Sequence, residues 1–203
     1  DLTMINITQP FEKYPLWVFS GLDFPEVPDD LEYRSLQGEH ILLQDEKYFK
    51  RLVAKDSEYQ KEIIQEIWLA IEEIKKAPVS TIVEKYFEEY WVCRQWNFKK
   101  EELYTEIVKD SKDFHMGAHL DNLYVKFNAI ANLKDNVDST QFHIIPQPTW
   151  VNFNEFEKSM TSWSGPTEKG TGYFWFNHPA LYHDIHITQD NRMVVKISGD
   201  IDI

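Results

Sequence analysis

Apolar and polar residues along this chain follow two different periods. From Ser57 to Pro78 apolar side chains recur every three or four positions, which predicts an amphipathic helix with a capping-box spacing at its start. A proline cannot continue a helix, so this one ends at or before Pro78. The same spacing predicts a second helix over residues 82–91, and residues 45–54 are predicted as a short helix. Such one-sided helices are expected to pack against a sheet.

After about residue 92 the pattern changes towards that of short strands. Gln189-Asp190-Asn191 predicts a tight hairpin between the last two strands, and residues 146–170 are expected to form a long connection. An earlier strand is predicted at residues 16–19. Helices followed by many strands indicate the α+β class. The predicted later strands cover residues 103–109, where a helix also fits, and 122–133, 140–145, 170–176, 181–188 and 192–198.

Composition indicates a single domain spanning all 203 residues, with helical or irregular support over 1–100 and a strand-rich core over 101–203. A net charge of −13 disfavours nucleic acid as a partner. The single cysteine, Cys93, excludes an intrachain disulfide and favours a cytoplasmic location. No apolar run approaches the length of a membrane span, so no membrane partner is expected. Aromatic residues make up 15% of the chain and predict a ring-rich core or cavity.

The candidate chemistry centres on His119 and Asp121. Side chains two residues apart in an extended strand project from the same side, so both can reach one ion. A second imidazole from a distant strand, for which His183 is the candidate, completes two histidines and one carboxylate. This ligand set is typical of non-haem Fe(II) oxygenases and leaves coordination positions open.

Other histidines compete with His183 as the third ligand. His186 lies three residues further on and faces the opposite side of a regular strand. His178 precedes a proline in a predicted turn, where a structural or substrate-facing role is expected. His115 and His143 are interpreted as ordinary polar or core residues. If the set is accidental, His119 and His183 are hydrogen-bonded histidines of a β-sandwich.

The order His119-x-Asp121, His183 and then Arg192 resembles the Fe(II)- and 2-oxoglutarate-dependent dioxygenases, above all the small prolyl-hydroxylase-like and phage-type members. The resemblance covers residues 105–203. It implies a double-stranded β-helix, a cupin-like jelly roll with N-terminal supporting helices. It also implies that the two histidines and the aspartate bind Fe(II), and that Arg192 binds the far carboxylate of 2-oxoglutarate through its charged fork.

The activity implied by the resemblance is hydroxylation of a small molecule, an amino acid or a peptidyl side chain. The co-substrates are 2-oxoglutarate and O₂, and the by-products are succinate and CO₂. The carboxylate of Asp121 favours hydroxylation, since halogenating relatives have a small residue there. Tyr124 and Asn128, on one face of a predicted strand, are further candidates for cofactor binding. Two alternatives remain: a cupin-like metal enzyme that does not use 2-oxoglutarate, and a non-enzymatic jelly-roll binding protein. The pattern predicts neither the substrate nor the oligomeric state.

Overall fold

The computed structural model describes residues 4–12, 14–35, 50–55, 57–76, 99–121, 127–145, 160–178 and 180–199. Within these ranges the chain forms one α-helix, α1 (Glu58–Lys75), a short 3-10 helix (Lys100–Glu102) and β-strands that build two antiparallel sheets. In chain order the strands are β1 (Asn6–Thr8), β2 (Leu16–Ser20), β3 (Arg34–Ser35), β4 (Arg51–Ala54), β5 (Tyr104–Asp110), β6 (His115–His119), β7 (Phe127–Asn132), β8 (Gln141–Ile144), β9 (Thr161–Ser164), β10 (Gly172–Phe176), β11 (Leu181–His186) and β12 (Arg192–Gly199).

The last eight strands form a jelly roll. Their larger sheet has the order β10-β7-β12-β5, and the smaller sheet has the order β6-β11-β8-β9. This alternation of strands between two four-stranded sheets is the double Greek-key pattern. Inward-facing aromatic and aliphatic residues from both sheets meet in one buried cluster: Leu16, Phe142, Ile144, Tyr173, Trp175 and Leu181. The strand order therefore confirms the predicted jelly-roll fold.

The first hundred residues contribute β2, which confirms the strand predicted at 16–19, and they also contribute β1, β3 and β4, where helical or irregular support was expected. β1 and β2 extend one edge of the large sheet beside β10, and β4 and β3 extend the other edge beside β5. Strands from both sides of residue 100 thus pair within one sheet, and the single domain over 1–203 stays a prediction.

Helix α1 covers the outer face of the large sheet. Its start is capped by Ser57, whose hydroxyl oxygen accepts a hydrogen bond from the backbone N–H of Gln60 at 3.1 Å, as the capping spacing predicts. Ile63, Ile67 and Ile71 form its buried stripe and join a cluster with residues of β5, β7, β10 and β12. The helical period in the sequence is therefore confirmed here, whereas residues 82–91 lie outside the described ranges.

Alternation along β12 separates the two faces of the large sheet. Its odd-numbered residues from Met193 to Ile197 pack beneath α1 in the cluster just described, which we call the helix-side cluster. Val194 instead packs with Val53 and Val108 in a separate cluster. Because side chains alternate along a strand, Arg192 and Lys196 share the face of Val194. Both cations therefore point towards the smaller sheet.

Two local predictions were wrong. Residues 51–54, expected to belong to a helix, form strand β4, because the run of Leu52, Val53 and Ala54 pairs with β5 and Val53 is buried. A short apolar run fits either a helix or a strand, and tertiary pairing decides between them. The connection predicted over 146–170 contains strand β9, which pairs with β8.

The predicted hairpin between the last two strands was also wrong. β11 pairs with β6 and β8 in the small sheet, whereas β12 pairs with β5 and β7 in the large one. The turn at 189–191, where Asn191 has a φ of 65°, carries the chain from one sheet to the other. Turn residues specify a reversal of direction but do not specify whether the flanking strands pair. Within the described ranges, no helix combines the length and the apolar content that spanning a bilayer requires.

We predict that Ile67→Ala lowers the free energy of unfolding by about 2–5 kcal/mol, because the side chain is 1% exposed beneath α1. Leu69→Ala is the control on the same helix: Leu69 is 50% exposed, and a change within about 0.5 kcal/mol is expected. Urea unfolding followed by circular dichroism measures both. Equal losses in the two variants would contradict the packing of α1 on the sheet.

Candidate metal centre

Three side chains of the described residues converge where β6 and β11 pair. His119 at the end of β6 lies directly opposite His183 of β11, and Asp121 follows two residues after His119. One ligand atom from each of the three side chains lies within 4.8 Å of the others. Nε2 of His119 is 3.7 Å and Nε2 of His183 is 3.6 Å from Oδ1 of Asp121. Pairing of two strands thus brings together residues that are sixty-four positions apart in the chain (183 − 119).

The two imidazoles are held in different ways. Nδ1 of His119 lies 2.6 Å from the backbone oxygen of Gly117, and a hydrogen bond there leaves Nε2 with its lone pair towards Asp121. His183 is oriented by packing, because its ring lies 5.1 Å from the ring of Trp175 and 6.0 Å from that of Phe142. Among the described residues its Nδ1 has no hydrogen-bond partner.

His183 is a neutral imidazole at ordinary pH. Burial lowers its pKa to about 3, and the opposing attraction of Asp121 does not reverse the shift. Only the neutral ring has a lone pair for a metal, so burial keeps His183 ready to bind one without releasing a proton.

Asparagine side chains fix the position of Asp121. The amide of Asn128 donates a hydrogen bond to Oδ2 of Asp121, which leaves Oδ1 facing the two histidines. Asn177 accepts a hydrogen bond from the backbone N–H of Asp121 at 3.2 Å and donates one to its backbone oxygen at 2.9 Å. Both the backbone and the side chain of the aspartate are therefore held.

Asn128 was predicted to bind a cofactor, and that role stays a prediction. Asn177 was not predicted, because a single asparagine after a strand gives no signal in the sequence.

Arg192 is buried on the inner face of β12, with 4% of the residue exposed. Its Nη1 donates to Oδ2 of Asp110 at 2.9 Å, and its Nε donates to the backbone oxygen of Asp138 at 3.3 Å. Nη2 is buried and has no hydrogen-bond partner among the residues that the structure describes. The guanidinium thus keeps one donor group for a ligand.

Asp110 joins Arg192 to a second arginine that sequence analysis missed. Arg51 donates to both carboxylate oxygens of Asp110, at 2.7 and 3.0 Å, and lies over the ring of Phe114. Burial works to raise the pKa of Asp110, but the Arg51 and Arg192 guanidiniums outweigh it and hold the pKa below its usual value. Two cations and one anion leave this buried cluster with a net charge of +1, which an anionic ligand would neutralise.

The other histidines considered as a third metal ligand do not lie with His119 and Asp121. His186 is exposed with its ring 6.3 Å from that of His115, as expected for the opposite face of β11. His143 bridges Asp184 and Ser162, and Nδ1 of His178 accepts a hydrogen bond from the N–H of Ala180. The structure therefore groups none of these four histidines with His119 and Asp121. Tyr124, the other cofactor candidate, lies outside the described residues.

Among solved structures the chain is similar to an epimerase, a carbocyclase and a prolyl-4-hydroxylase. The epimerase SnoN in complex with Fe3+, alpha ketoglutarate and nogalamycin RO is 14% identical, with a TM-score of 0.47 over 74% of this chain and 63% of that one. A Pseudomonas putida prolyl-4-hydroxylase is 7% identical, with a TM-score of 0.46 over 75% of this chain and 73% of that one. The carbocyclase SnoK from nogalamycin biosynthesis is 12% identical, with a TM-score of 0.45 over 88% of this chain and 67% of that one.

These three proteins belong to the family that the sequence resembles, but TM-scores below 0.5 carry no conclusion by themselves. The chain also spans only 60–63% of the length of the two SnoN structures. No protein-family model matches the sequence, and no curated protein matches it. Strand order and the geometry of the site are therefore the basis for a function.

We predict that Asn128→Ala weakens metal binding about tenfold or more, because Asp121 loses the donor that orients its carboxylate. Titration calorimetry with Co²⁺ measures the affinity, and thermal melting of the metal-free variant reports any loss of fold. Asn6→Ala, at an exposed asparagine of β1, is the control and should bind as the unaltered protein does. Unchanged affinity in Asn128→Ala would contradict the role of this hydrogen bond.

Proposed function

We propose that this chain is an Fe(II)- and 2-oxoglutarate-dependent dioxygenase that hydroxylates a small molecule, an amino acid or a peptidyl side chain. The observation that carries the proposal is the convergence of His119, Asp121 and His183 on paired strands of a jelly roll. Two imidazoles and one carboxylate are the ligand set of non-haem Fe(II) oxygenases. Nucleic acid is not a proposed partner, and a cytoplasmic location stays a prediction.

The donor set fits Fe(II). Nε2 of each histidine and Oδ1 of Asp121 are turned towards one another, at separations that small side-chain rotations convert into coordination distances of about 2.0–2.2 Å. Three protein ligands leave the remaining positions of an octahedral ion for co-substrates. Bound iron would supply the activation of O₂ that no side chain provides. The protein's part is to keep His183 neutral and to hold Asp121 through Asn128.

The inner face of β12 supports 2-oxoglutarate as the co-substrate. Nη2 of Arg192 is a buried donor without a described partner, in a cluster of net charge +1. A buried cation that lacks a full set of acceptors is costly, and a carboxylate offsets that cost through hydrogen bonds worth about 1.5–3 kcal/mol each. Arg192 is therefore proposed to bind the far carboxylate of 2-oxoglutarate.

Hydroxylation is the proposed outcome because the carboxylate ligand is present. Asp121 fills the position in which halogenating relatives carry a small residue that leaves room for chloride. With Asp121 in place, the protein supplies three ligands and leaves no room for chloride at that position, so halogenation is disfavoured and a new C–OH bond is the proposed product.

Anaerobic addition of Fe(II), with and without 2-oxoglutarate, tests the proposal. We expect a weak visible charge-transfer band that needs both components, and its loss in His183→Ala and Asp121→Ala. Admission of O₂ should then yield succinate. Metal binding without any effect of 2-oxoglutarate would favour the cupin-like alternative, and absence of stoichiometric metal binding would favour a binding protein.

We predict that Arg192→Lys weakens 2-oxoglutarate binding about tenfold or more, because one compact ammonium group cannot donate to Asp110 as Nη1 does and keep a second, separate donor for the ligand as Nη2 does. The sharper measurement compares 2-oxoglutarate with 2-oxopentanoate, which lacks the far carboxylate. The unaltered protein should prefer 2-oxoglutarate, and Arg192→Lys and Arg192→Met should lose most of that preference while still binding metal. A preference that survives in both variants would contradict the assignment of Arg192.

A further inference from the structure

Lys196 is a second cation on the inner wall of the jelly roll. It lies on β12 four residues beyond Arg192, about 13 Å further along the strand. Both share the face of β12 opposite to the helix-side cluster. Arg192 is buried, whereas Lys196 is half-buried, so the wall becomes more accessible to solvent from Arg192 towards Lys196.

The strand register brings Lys196 close to the candidate metal ligands. On the neighbouring strand β7, Lys196 pairs with Ile130 and Ser198 pairs with Asn128. Asn128 contacts Asp121, so Lys196 is a diagonal neighbour of the residue that holds the carboxylate ligand. The long lysine side chain spans such a separation.

The carboxylate beside Lys196 is already engaged. Glu106 of β5 is the direct cross-strand partner of Lys196, but its Oε1 lies 3.2 Å from Nζ of Lys55 and accepts a hydrogen bond from the hydroxyl of Tyr104 at 2.7 Å. Within the described part of the chain, no carboxylate lies within 4.0 Å of the ammonium group of Lys196. A half-buried ammonium without an ion-pair partner is able to take an anion as its partner.

We propose that Lys196 binds a carboxylate of the primary substrate, and hence that the substrate is a carboxylic acid; this inference rests on the function proposed above. Arg192, deeper in the roll, serves the far carboxylate of 2-oxoglutarate, and a bound metal would hold the near one. Lys196 lies on the more accessible part of β12, diagonal to the asparagine that holds Asp121, and is therefore free to take a third carboxylate. An ion pair there positions the acid beside the metal.

The test uses the protein loaded with Co²⁺ and saturating 2-oxoglutarate. Acetate, phenylacetate, N-acetylglycine and N-acetylproline are each titrated against their neutral primary amides, by calorimetry and by the visible spectrum of the cobalt ion. We expect at least one acid to bind about tenfold or more tightly than its amide, a difference of about 1.4 kcal/mol. Lys196→Met and Lys196→Gln should lose this preference, and Lys196→Arg should retain it.

Lys112→Met is the matched control, because Lys112 is exposed in the turn after β5 and should leave the preference unchanged. The inference is overturned if no acid binds better than its amide, or if the preference persists in both neutral variants. It is equally overturned if these variants lose affinity for 2-oxoglutarate, since Lys196 would then serve the co-substrate. Failure of the unaltered protein to bind Co²⁺ and 2-oxoglutarate would instead refute the proposed function.

Discussion

Antiparallel pairing of β6 with β11 is the constraint on which the site depends. It sets His119 opposite His183, and the two-residue period of an extended chain turns Asp121 to the same side. A slip of one residue in this register would move every side chain of β11 to the other face. The aromatic packing around His183, with Trp175 beside it, fixes the register because it buries the inward side chains of β11.

Charge is distributed unevenly in a chain of net charge −13. On the inner wall of the jelly roll, the cluster of Arg51, Asp110 and Arg192 carries a net +1, and Lys196 adds a second positive charge nearer the metal ligands. An unpaired cation in the interior costs free energy, and binding an anion beside it offsets that cost. The acidic surface and the cationic interior are therefore compatible with small carboxylates as ligands.

Local patterns in the sequence predicted those parts of the molecule that depend on local physics. The helical period predicted α1 correctly, because apolar residues at three- and four-residue spacing lie on one face only if the segment is helical. His119 and Asp121 were found because their spacing alone sets their common face. Strand β4 and the turn at 189–191 that joins the two sheets were not predicted correctly. A short apolar run or a turn does not specify which strand it will pair with or connect to. Lys196 and Asn177 gave no signal, because their roles arise from register with strands distant in sequence.

A crystal structure of the protein with Mn²⁺ and 2-oxoglutarate, grown without O₂, would show directly which residues hold the metal and the co-substrate. We expect one ion within about 2.0–2.3 Å of Nε2 of His119, Oδ1 of Asp121 and Nε2 of His183. We also expect the far carboxylate of 2-oxoglutarate to accept a hydrogen bond from Nη2 of Arg192, at about 2.7–3.2 Å. An ion held by other residues, or a carboxylate bound away from Arg192, would contradict the proposed roles of these four residues.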